Sequence, residues 1–172
     1  MLFALARPRT CAWLHPHPTS TLQWLVCLVL LPWQIGSCAA AVDVWRRLVT
    51  AHPNALWYTH LGWLLHVLCR LRESAEACEA AIALDPEFGT AYNNLGAVYM
   101  SRGDVERAEG YFLQALDKQH WEDDTLGQPW VNLATIRARQ GRKSEAVWCL
   151  HKALQRAPLD ECAATDLADL LA

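Results

Sequence analysis

The sequence predicts an all-α fold in which helical hairpins stack side by side. A set of small and aromatic residues recurs after 34 residues, and within each copy the apolar positions follow the i, i+3, i+4, i+7 spacing of one helix face. The recurring residues are Tyr58, Leu61, Gly62 and Ala81 in the first copy, and Tyr92, Leu95, Gly96 and Ala115 in the second. A repeat of this length is typical of stacked helical pairs, because no single pair can bury its apolar face alone.

Three units follow from this pattern. Unit one covers residues 55–88 and unit two covers residues 89–122, while unit three covers residues 127–160 after a short insertion. The third copy of the pattern consists of Trp130, Leu133, Ala134, Gly141, Ala146, Ala153 and Pro158. The insertion near Gln119–Leu126 carries the acids Glu122, Asp123 and Asp124. These acids form either a solvated bulge or a contact for a basic partner.

Local chemistry explains why unit two reads as two helices. Gly103 can supply a left-handed turn after the first helix, and Asp104 can accept hydrogen bonds at the start of the second. Gly96 and Ala108 are small residues at the same height of the two facing helices, which predicts that the two backbones approach closely there. Units one and three are looser: Cys69 replaces the turn glycine, and Arg137 stands where the second aromatic residue belongs.

The order Trp/Tyr, Leu-Gly, Tyr, Ala, aromatic, Ala and Pro resembles the tetratricopeptide repeat (TPR). The stretch from Gly89 to Tyr99 matches that signature most closely, and it continues with Ala108, Phe112 and Ala115. The resemblance implies a TPR-type solenoid of about three repeats, whose first helices line a concave groove. It further implies a protein–protein interaction module or scaffold that binds a peptide or a partner protein in that groove.

Both flanks of the repeats are also predicted to be helical. Residues 43–54 look like the second helix of a degenerate unit, with Trp45 and Leu48 on its apolar side. Residues 161–172 read as an amphipathic C-terminal capping helix, with Ala163, Leu167 and Leu170 in its stripe. Such a cap covers an apolar face that would otherwise meet water.

Residues 1–42 form an apolar N-terminal segment. It contains Arg7 and Arg9, an apolar core of about ten residues around 24–31, and a small-residue stretch at 36–40. This order fits a secretory signal or, because Cys38 follows Ile-Gly-Ser, a lipoprotein leader. An uncleaved membrane anchor, an organelle import sequence and a buried capping helix are further interpretations. Through residues 10–42 we expect the protein to be membrane-associated or exported, with a leader at 1–40.

The charge and the cysteine spacing argue against nucleic-acid-binding and metal-binding functions. The net charge of −3 divides into +2 before Val42 and −5 after it, from 13 basic and 18 acidic residues, which argues against nucleic acid as a partner. The seven cysteines include no CxxC pair or zinc-ligand cluster, so no metal site and no cofactor are predicted. Small core thiols are the default interpretation, and a Cys69–Cys78 disulfide is the alternative for an exported chain.

The resemblance also implies which side chains line the groove. The predicted peptide-binding residues are Asn94, Asn132, Asn93, Thr90, Gln128, Arg139, His60 and Trp63. Members that clamp a chaperone's C-terminal carboxylates use lysines and an arginine in the groove. Because Thr59, Gln128 and Asn132 occupy those places here, that use is excluded.

An asparagine ladder fits the groove better. In the O-linked N-acetylglucosamine transferase family, an asparagine at the sixth position of successive repeats holds the backbone of an extended peptide. Asn94 and Asn132 occupy that position, and His60 replaces the asparagine in unit one. An amide offers both a donor and an acceptor, so it can pair with any peptide bond. The alternative is that these asparagines only make the groove hydrophilic.

The groove of unit one carries an unusual group of rings, His60, Trp63 and His66. Trp63 is either an anchor for a ligand or a core residue that packs on the N-terminal helix beside Trp45. The histidines are six residues apart and face different directions on a helix, so a shared metal ion is not expected.

No catalytic motif is present, because the sequence has no Gly-rich phosphate loop, GxSxG or HExxH. The predicted role is therefore binding without catalysis. Two alternatives remain: an accessory subunit or short relative of a TPR-containing glycosyltransferase, and a structural subunit of a membrane complex.

Overall fold

The computed structural model describes residues 38–118, 120, 127–158 and 160–171. Over these residues the chain forms eight α-helices and no extended strand, which confirms the all-α solenoid. The helices are α1 Cys38–Ala51, α2 Ala55–Val67, α3 Leu71–Leu84, α4 Gly89–Ser101, α5 Val105–Leu116, α6 Gln128–Arg139, α7 Lys143–Arg156 and α8 Glu161–Leu171.

The helices pair as the period of the sequence predicts. Helix α2 packs on α3, α4 packs on α5 and α6 packs on α7, and each pair packs on the next. The first helices of the pairs, α2, α4 and α6, also contact one another in that order. The molecule is therefore a short solenoid in which the first helices form one wall and the second helices α3, α5 and α7 form the other.

The turns inside the three hairpins share one backbone conformation. Gly103 and Gly141 have φ of +83° and +74°, and Cys69, at the same position of unit one, has φ of +58°. A left-handed residue at this point lets the chain leave one helix and enter the next. Asp104 then accepts a hydrogen bond from the Arg107 amide at 3.2 Å, which confirms its predicted role as a helix cap.

The hairpins are tightest where glycine meets the facing helix. A Cβ built on Gly96 would lie 2.6 Å from Cε1 of Phe112, and one built on Gly62 would lie 2.7 Å from Sγ of Cys78. The three atoms nearest to that Gly96 Cβ all belong to Phe112, so the aromatic ring fills this space and Ala108 does not. Unit one therefore has the same close approach at its glycine, with the smaller side chain of Cys78 in the place of the phenyl ring.

Helix α1 begins at Cys38, within the range that the sequence analysis gives to the apolar leader. Ala41, Val42, Trp45 and Val49 are buried, and they pack against α2. Burial of these residues provides the reason for the early start, since the apolar face of α2 needs a covering helix.

Helix α8 covers the last hairpin. Asp160 accepts hydrogen bonds from the amides of Cys162 and Ala163 at 3.0 and 3.1 Å, which starts the helix. Ala163 is fully buried, and Leu167 and Leu170 pack against the core of unit three. These three residues form the predicted stripe of the capping helix.

Three cysteines of the described part are free thiols. Cys78 and Cys149 are buried, as the core interpretation expects, and Cys69 is exposed. The alternative of a Cys69–Cys78 disulfide is wrong, because both sulfurs are unbonded and Cys78 instead packs on Gly62. Burial raises the pKa of the Cys78 thiol to about 12, so the group is a neutral core residue.

None of the helices within the described ranges combines the length and the apolar character needed to cross a bilayer. The predicted leader lies almost wholly outside the described residues, which begin at residue 38.

Candidate functional site

The candidate site is the wall formed by α2, α4 and α6. Two hydrogen bonds join these helices across unit boundaries. The Nε2 atom of His66 lies 2.8 Å from Oγ of Ser101, between α2 and α4. The Nδ2 atom of Asn132 donates to Oδ1 of Asn93 at 2.9 Å, between α6 and α4. These bonds link the first helices of neighbouring units along the wall.

Three of the predicted contact residues present polar groups on this wall. Asn94 and Gln128 are half-buried and Arg139 is exposed. No hydrogen bond or ion pair joins their side chains to any other residue of the described part. A half-buried amide without a partner has its donor and its acceptor available. Asn94 and Gln128 are therefore the side chains best placed to hydrogen-bond the backbone of a bound peptide.

Asn132 differs from Asn94 in its pairing. One of its amide hydrogens is used by Asn93, whose side chain is buried. The carbonyl oxygen and the second amide hydrogen of Asn132 remain for a ligand. Asn93 therefore orients the side chain of Asn132. Of the two predicted ladder asparagines, Asn94 has an amide that is unpaired within the described residues and Asn132 has an amide that is already bonded to Asn93.

Not every predicted groove position is exposed. Thr90, Asn93 and Thr59 are 3%, 7% and 1% exposed, so the expectation of exposure at these positions is wrong. Asn93 is buried because it lies between α4 and α6, where it accepts from Asn132. Thr90 lies in the first turn of α4 between the buried Gly89 and Ala91. The hydroxyl of Thr59 donates to the carbonyl of Ala55 at 2.8 Å in its own helix.

His60 lies in a ring cluster at the contact of α1 with α2. Its ring centroid is 5.4 Å from that of Trp45 and 6.3 Å from that of Trp57, and the two indoles are 5.8 Å apart. Burial lowers the pKa of His60 to about 4, so the imidazole is neutral at physiological pH. His60 thus takes part in the packing of α1, which the groove assignment had not included.

Trp63 is more exposed than the rings of that cluster. It is absent from the apolar core shared by α1 and α2, and it is 37% exposed. Val67, one turn further along α2, is 39% exposed. Among the described residues, the rings beside Trp45 are those of Trp57 and His60, and the role of Trp63 as a ligand anchor stays a prediction.

Sequence reasoning missed an ion cluster at the centre of unit three. The guanidinium of Arg137 hydrogen-bonds Glu109 of α5 and lies 3.7 Å from Glu145 of α7. The hydrogen bond with Glu109 raises the pKa of Arg137. The sequence did carry a sign of this cluster, since Arg137 stands at a position where the repeat has an aromatic core residue. An arginine at a core position needs a carboxylate close to it.

The insertion after unit two contacts the turn before unit two. The amide of His120 donates to the carbonyl of Glu87 at 2.9 Å, and the amide of Gly89 donates to the carbonyl of His120 at 2.7 Å. The Nδ1 atom of His120 lies 2.9 Å from Oδ2 of Asp85. Burial opposes ionisation of Asp85, but the His120 and Glu87 hydrogen bonds outweigh it and lower the pKa of that carboxyl. Residues 122–124, the predicted acidic bulge, lie outside the described residues.

Within the described ranges, no group of three or more histidine, cysteine or carboxylate side chains is arranged to hold a metal ion. His60 points into the ring cluster and His66 pairs with Ser101, so the two histidines have separate surroundings.

The sequence profile of the tetratricopeptide repeat family matches residues 28–87 and 69–123, which together exceed half of the 172 residues. The chain belongs to the tetratricopeptide repeat family. A curated relative, an inactive TPR repeat-containing thioredoxin of Arabidopsis thaliana, is 30% identical over 74 residues. That match covers 42% of the chain and 11% of the relative, so the chain spans a small part of that protein's length.

Solved TPR structures share the fold. A thermophilic TPR protein of Thermus thermophilus superposes with a TM-score of 0.70 at 24% identity, over 84% of this chain and 78% of that one. PilF of Pseudomonas aeruginosa gives a TM-score of 0.69 at 21% identity, over 87% and 67% of the two chains. The TPR fold is generally a non-catalytic interaction module, and it supports a role as a protein–protein interaction scaffold.

Proposed function

We propose that this TPR protein binds an extended peptide segment of a partner protein along the wall of α2, α4 and α6. The observation that carries the proposal is the pairing state of the two ladder asparagines. Asn94 makes no hydrogen bond within the described part of the chain, and Asn132 is held by Asn93 with one donor and its acceptor left over. Both amides sit at the same position of successive units.

The chemistry of the wall favours recognition of a peptide backbone. Asn94, Gln128 and Asn132 each offer an amide, which pairs with a peptide group in either direction. Arg139 adds one cation at the end of α6, and Trp63 with Val67 adds an apolar contact on α2. The wall therefore binds the main chain through amides and obtains its sequence preference at its two ends.

A photocrosslinking experiment tests where the partner binds. A photoreactive phenylalanine is placed at Ala97, which is half-buried on α4 one turn beyond Asn93, and the full chain is irradiated with extract of its native cells. The matched control carries the same group at Leu84, which is 49% exposed at the end of α3. We expect a discrete adduct from Ala97 alone, and adducts from Leu84 only would contradict the proposal.

The captured partner then serves in a binding measurement. Asn94→Ala together with Gln128→Ala should weaken binding about two- to tenfold for each lost hydrogen bond. The melting temperature should stay nearly unchanged, because neither amide has a partner in the described protein. Unaltered affinity with unaltered stability would exclude the ladder.

We also propose that the protein is membrane-associated or exported through residues 10–42. Support comes from the sequence alone: this stretch holds no Asp, Glu, Lys or Arg before Asp43, and Arg7 and Arg9 precede it. N-terminal sequencing of the protein from its native cells, together with carbonate extraction of membranes, tests this. A mature chain that begins near Cys38 or Ala40 supports export, and retention in carbonate-washed membranes supports an anchor. A full-length chain in the soluble fraction contradicts both.

A further inference from the structure

A pocket of about 250 Å³ opens between α5 and α7 on the side away from the candidate groove, with α6 as its floor. We call it the convex pocket. Its apolar lining comes from Leu113, Trp130, Leu133, Trp148 and Cys149, and its charged lining is the ion-paired Arg137 and Glu145.

The pocket exists because unit three lacks two rings that unit two has. Between α4 and α5, Tyr99 and Tyr111 stack with centroids 5.2 Å apart. The positions that correspond to them in unit three hold Arg137 and Cys149. The guanidinium of Arg137 is drawn to Glu109, and a thiol is much smaller than a phenol. The space that two stacked rings fill in one hairpin is thus left open in the next.

Large apolar side chains border this space and face solvent. Leu113 on α5 is 52% exposed and Trp148 on α7 is 54% exposed. Trp148 meets Trp130 edge to face at 5.3 Å, so the indole is held in place. A cavity with a fixed tryptophan and a leucine at its mouth can bury a bulky apolar side chain from another molecule, and tryptophan is enriched at such anchoring sites.

The charge around the pocket indicates the chemistry of the partner. Residues 127–158 carry six basic residues and one acid, Glu145, although the whole chain has a net charge of −3. Arg139 lies on the opposite wall, and Arg137 and Arg142 are paired with Glu109 and Glu145. Lys143, Lys152 and Arg156 of α7 remain as the other basic residues of this range.

Some of these cations flank the pocket directly. The ammonium of Lys152 lies 5.6 Å from the Trp148 ring centroid, and Arg156 is exposed one turn further along α7. Neither has a carboxylate within ion-pair distance among the described residues. On the opposite border, Glu106 of α5 and Asp117, which directly follows that helix, are exposed acids.

From these observations we propose that the convex pocket is a second docking site, and that it takes a bulky apolar side chain from an acidic peptide segment. The apolar residue enters between Leu113 and Trp148. The acidic stretch runs along the C-terminal half of α7, where Lys152 and Arg156 attract it, and away from Glu145 and the acids on the α5 side. This site is separate from the wall of α2, α4 and α6, so it stands whether or not that wall binds a peptide.

The test is selection from a phage library of random dodecapeptides on the immobilised full-length protein. We expect enriched sequences that carry several acids beside one Leu, Phe or Trp. Synthetic copies should bind about tenfold more weakly to Trp148→Ala and to Leu113→Ala, and should lose affinity to Lys152→Glu with Arg156→Glu. Binding to Leu84→Ala and Arg47→Glu, the matched controls on other exposed surfaces, should be unchanged.

A second variant separates loss of the site from loss of the fold. Arg137→Tyr together with Cys149→Tyr restores the ring pair of unit two and fills the pocket. We expect this variant to retain its helical circular dichroism and a cooperative melt while it no longer binds the selected peptides. The proposal is overturned if no enriched peptide depends on Trp148, if the enriched peptides are basic, or if their binding is abolished only by Asn94→Ala with Gln128→Ala.

Discussion

The ring of Phe112 occupies the space into which a side chain at position 96 would project. A Cβ on Gly96 would lie 2.6 Å from Cε1 and 2.7 Å from Cδ1 of Phe112, which is fully buried. Because the ring is enclosed by the core, it has no free direction in which to move. The absence of a side chain at Gly96 therefore sets how closely α4 and α5 approach.

We expect Gly96→Ala to lower the free energy of unfolding by about 1–3 kcal/mol, because the added methyl group overpacks the hairpin. The measurement is urea unfolding followed by circular dichroism at 222 nm. The matched control is Gly110→Ala on α5, where a Cβ meets nothing within 4 Å. That change should raise the free energy of unfolding by roughly 0.5–1 kcal/mol, since alanine favours a helix. Equal effects of the two substitutions would contradict the close contact.

Replacement of Cys69 by glycine should stabilise the protein. Cys69 holds φ of +58°, where an L-residue with a side chain is disfavoured and glycine is not. We expect Cys69→Gly to raise the free energy of unfolding by up to about 1 kcal/mol, part of the gain being lost to the greater freedom of glycine in the unfolded chain. The reverse change in unit three, Gly141→Ala, should lower it by about 1 kcal/mol. A loss of stability in Cys69→Gly would show that the thiol itself matters.

The bond between Asn93 and Asn132 should appear as an energetic coupling. Asn132→Ala leaves the buried oxygen of Asn93 unpaired, so it should cost about 1–3 kcal/mol, while the double variant with Asn93→Ala should cost less than the sum of the two. A double-mutant cycle of unfolding free energies measures the coupling, which we expect at about 0.5–1.5 kcal/mol. Asn94→Ala, at the unpaired ladder position, is the control and should change stability by less than about 0.5 kcal/mol.

The neutral His60 should make stability depend on pH. Its pKa is about 4 in the folded protein and near 6.5 in the unfolded chain, so the unfolded chain binds more protons between these values. The contribution is therefore fully present above about pH 6.5 and is lost as the pH falls toward 4, up to about 3 kcal/mol. Urea unfolding at a series of pH values measures it. In the His60→Phe variant this part of the pH dependence should vanish. If the free energy of unfolding of the variant varied with pH as steeply as that of the wild type, the burial of a neutral His60 would be contradicted.

The sequence predicts the fold because its signals are local. The helix faces, the turn glycines and Asp104 each act within a few residues, and the period then dictates that the pairs stack. Phe112 shows the limit of such reasoning. Sequence spacing matched Gly96 with Ala108 at one level, and only the crossing of α4 and α5 shows that the ring covers the glycine.

The candidate site was less predictable for a related reason. Whether Asn93 is exposed depends on how close α6 comes to α4, which no local signal reports. The direction of His60 depends on where α1 lies, and α1 begins inside the stretch predicted to be a leader. Arg137 finds Glu109 across a hairpin boundary, 28 residues away in the chain. Contacts between units decide all three outcomes.

The hydrogen bonds of His120 with Glu87 and Gly89 join the two ends of the second hairpin. Residues 88–120 are thus a closed loop of chain, with its entry and exit fastened to each other. Separation of the chain at His120 from the turn before α4 requires that both of these main-chain bonds break. The start of α4 and the chain that leaves α5 are thereby tied to each other directly, besides the packing of the two helices.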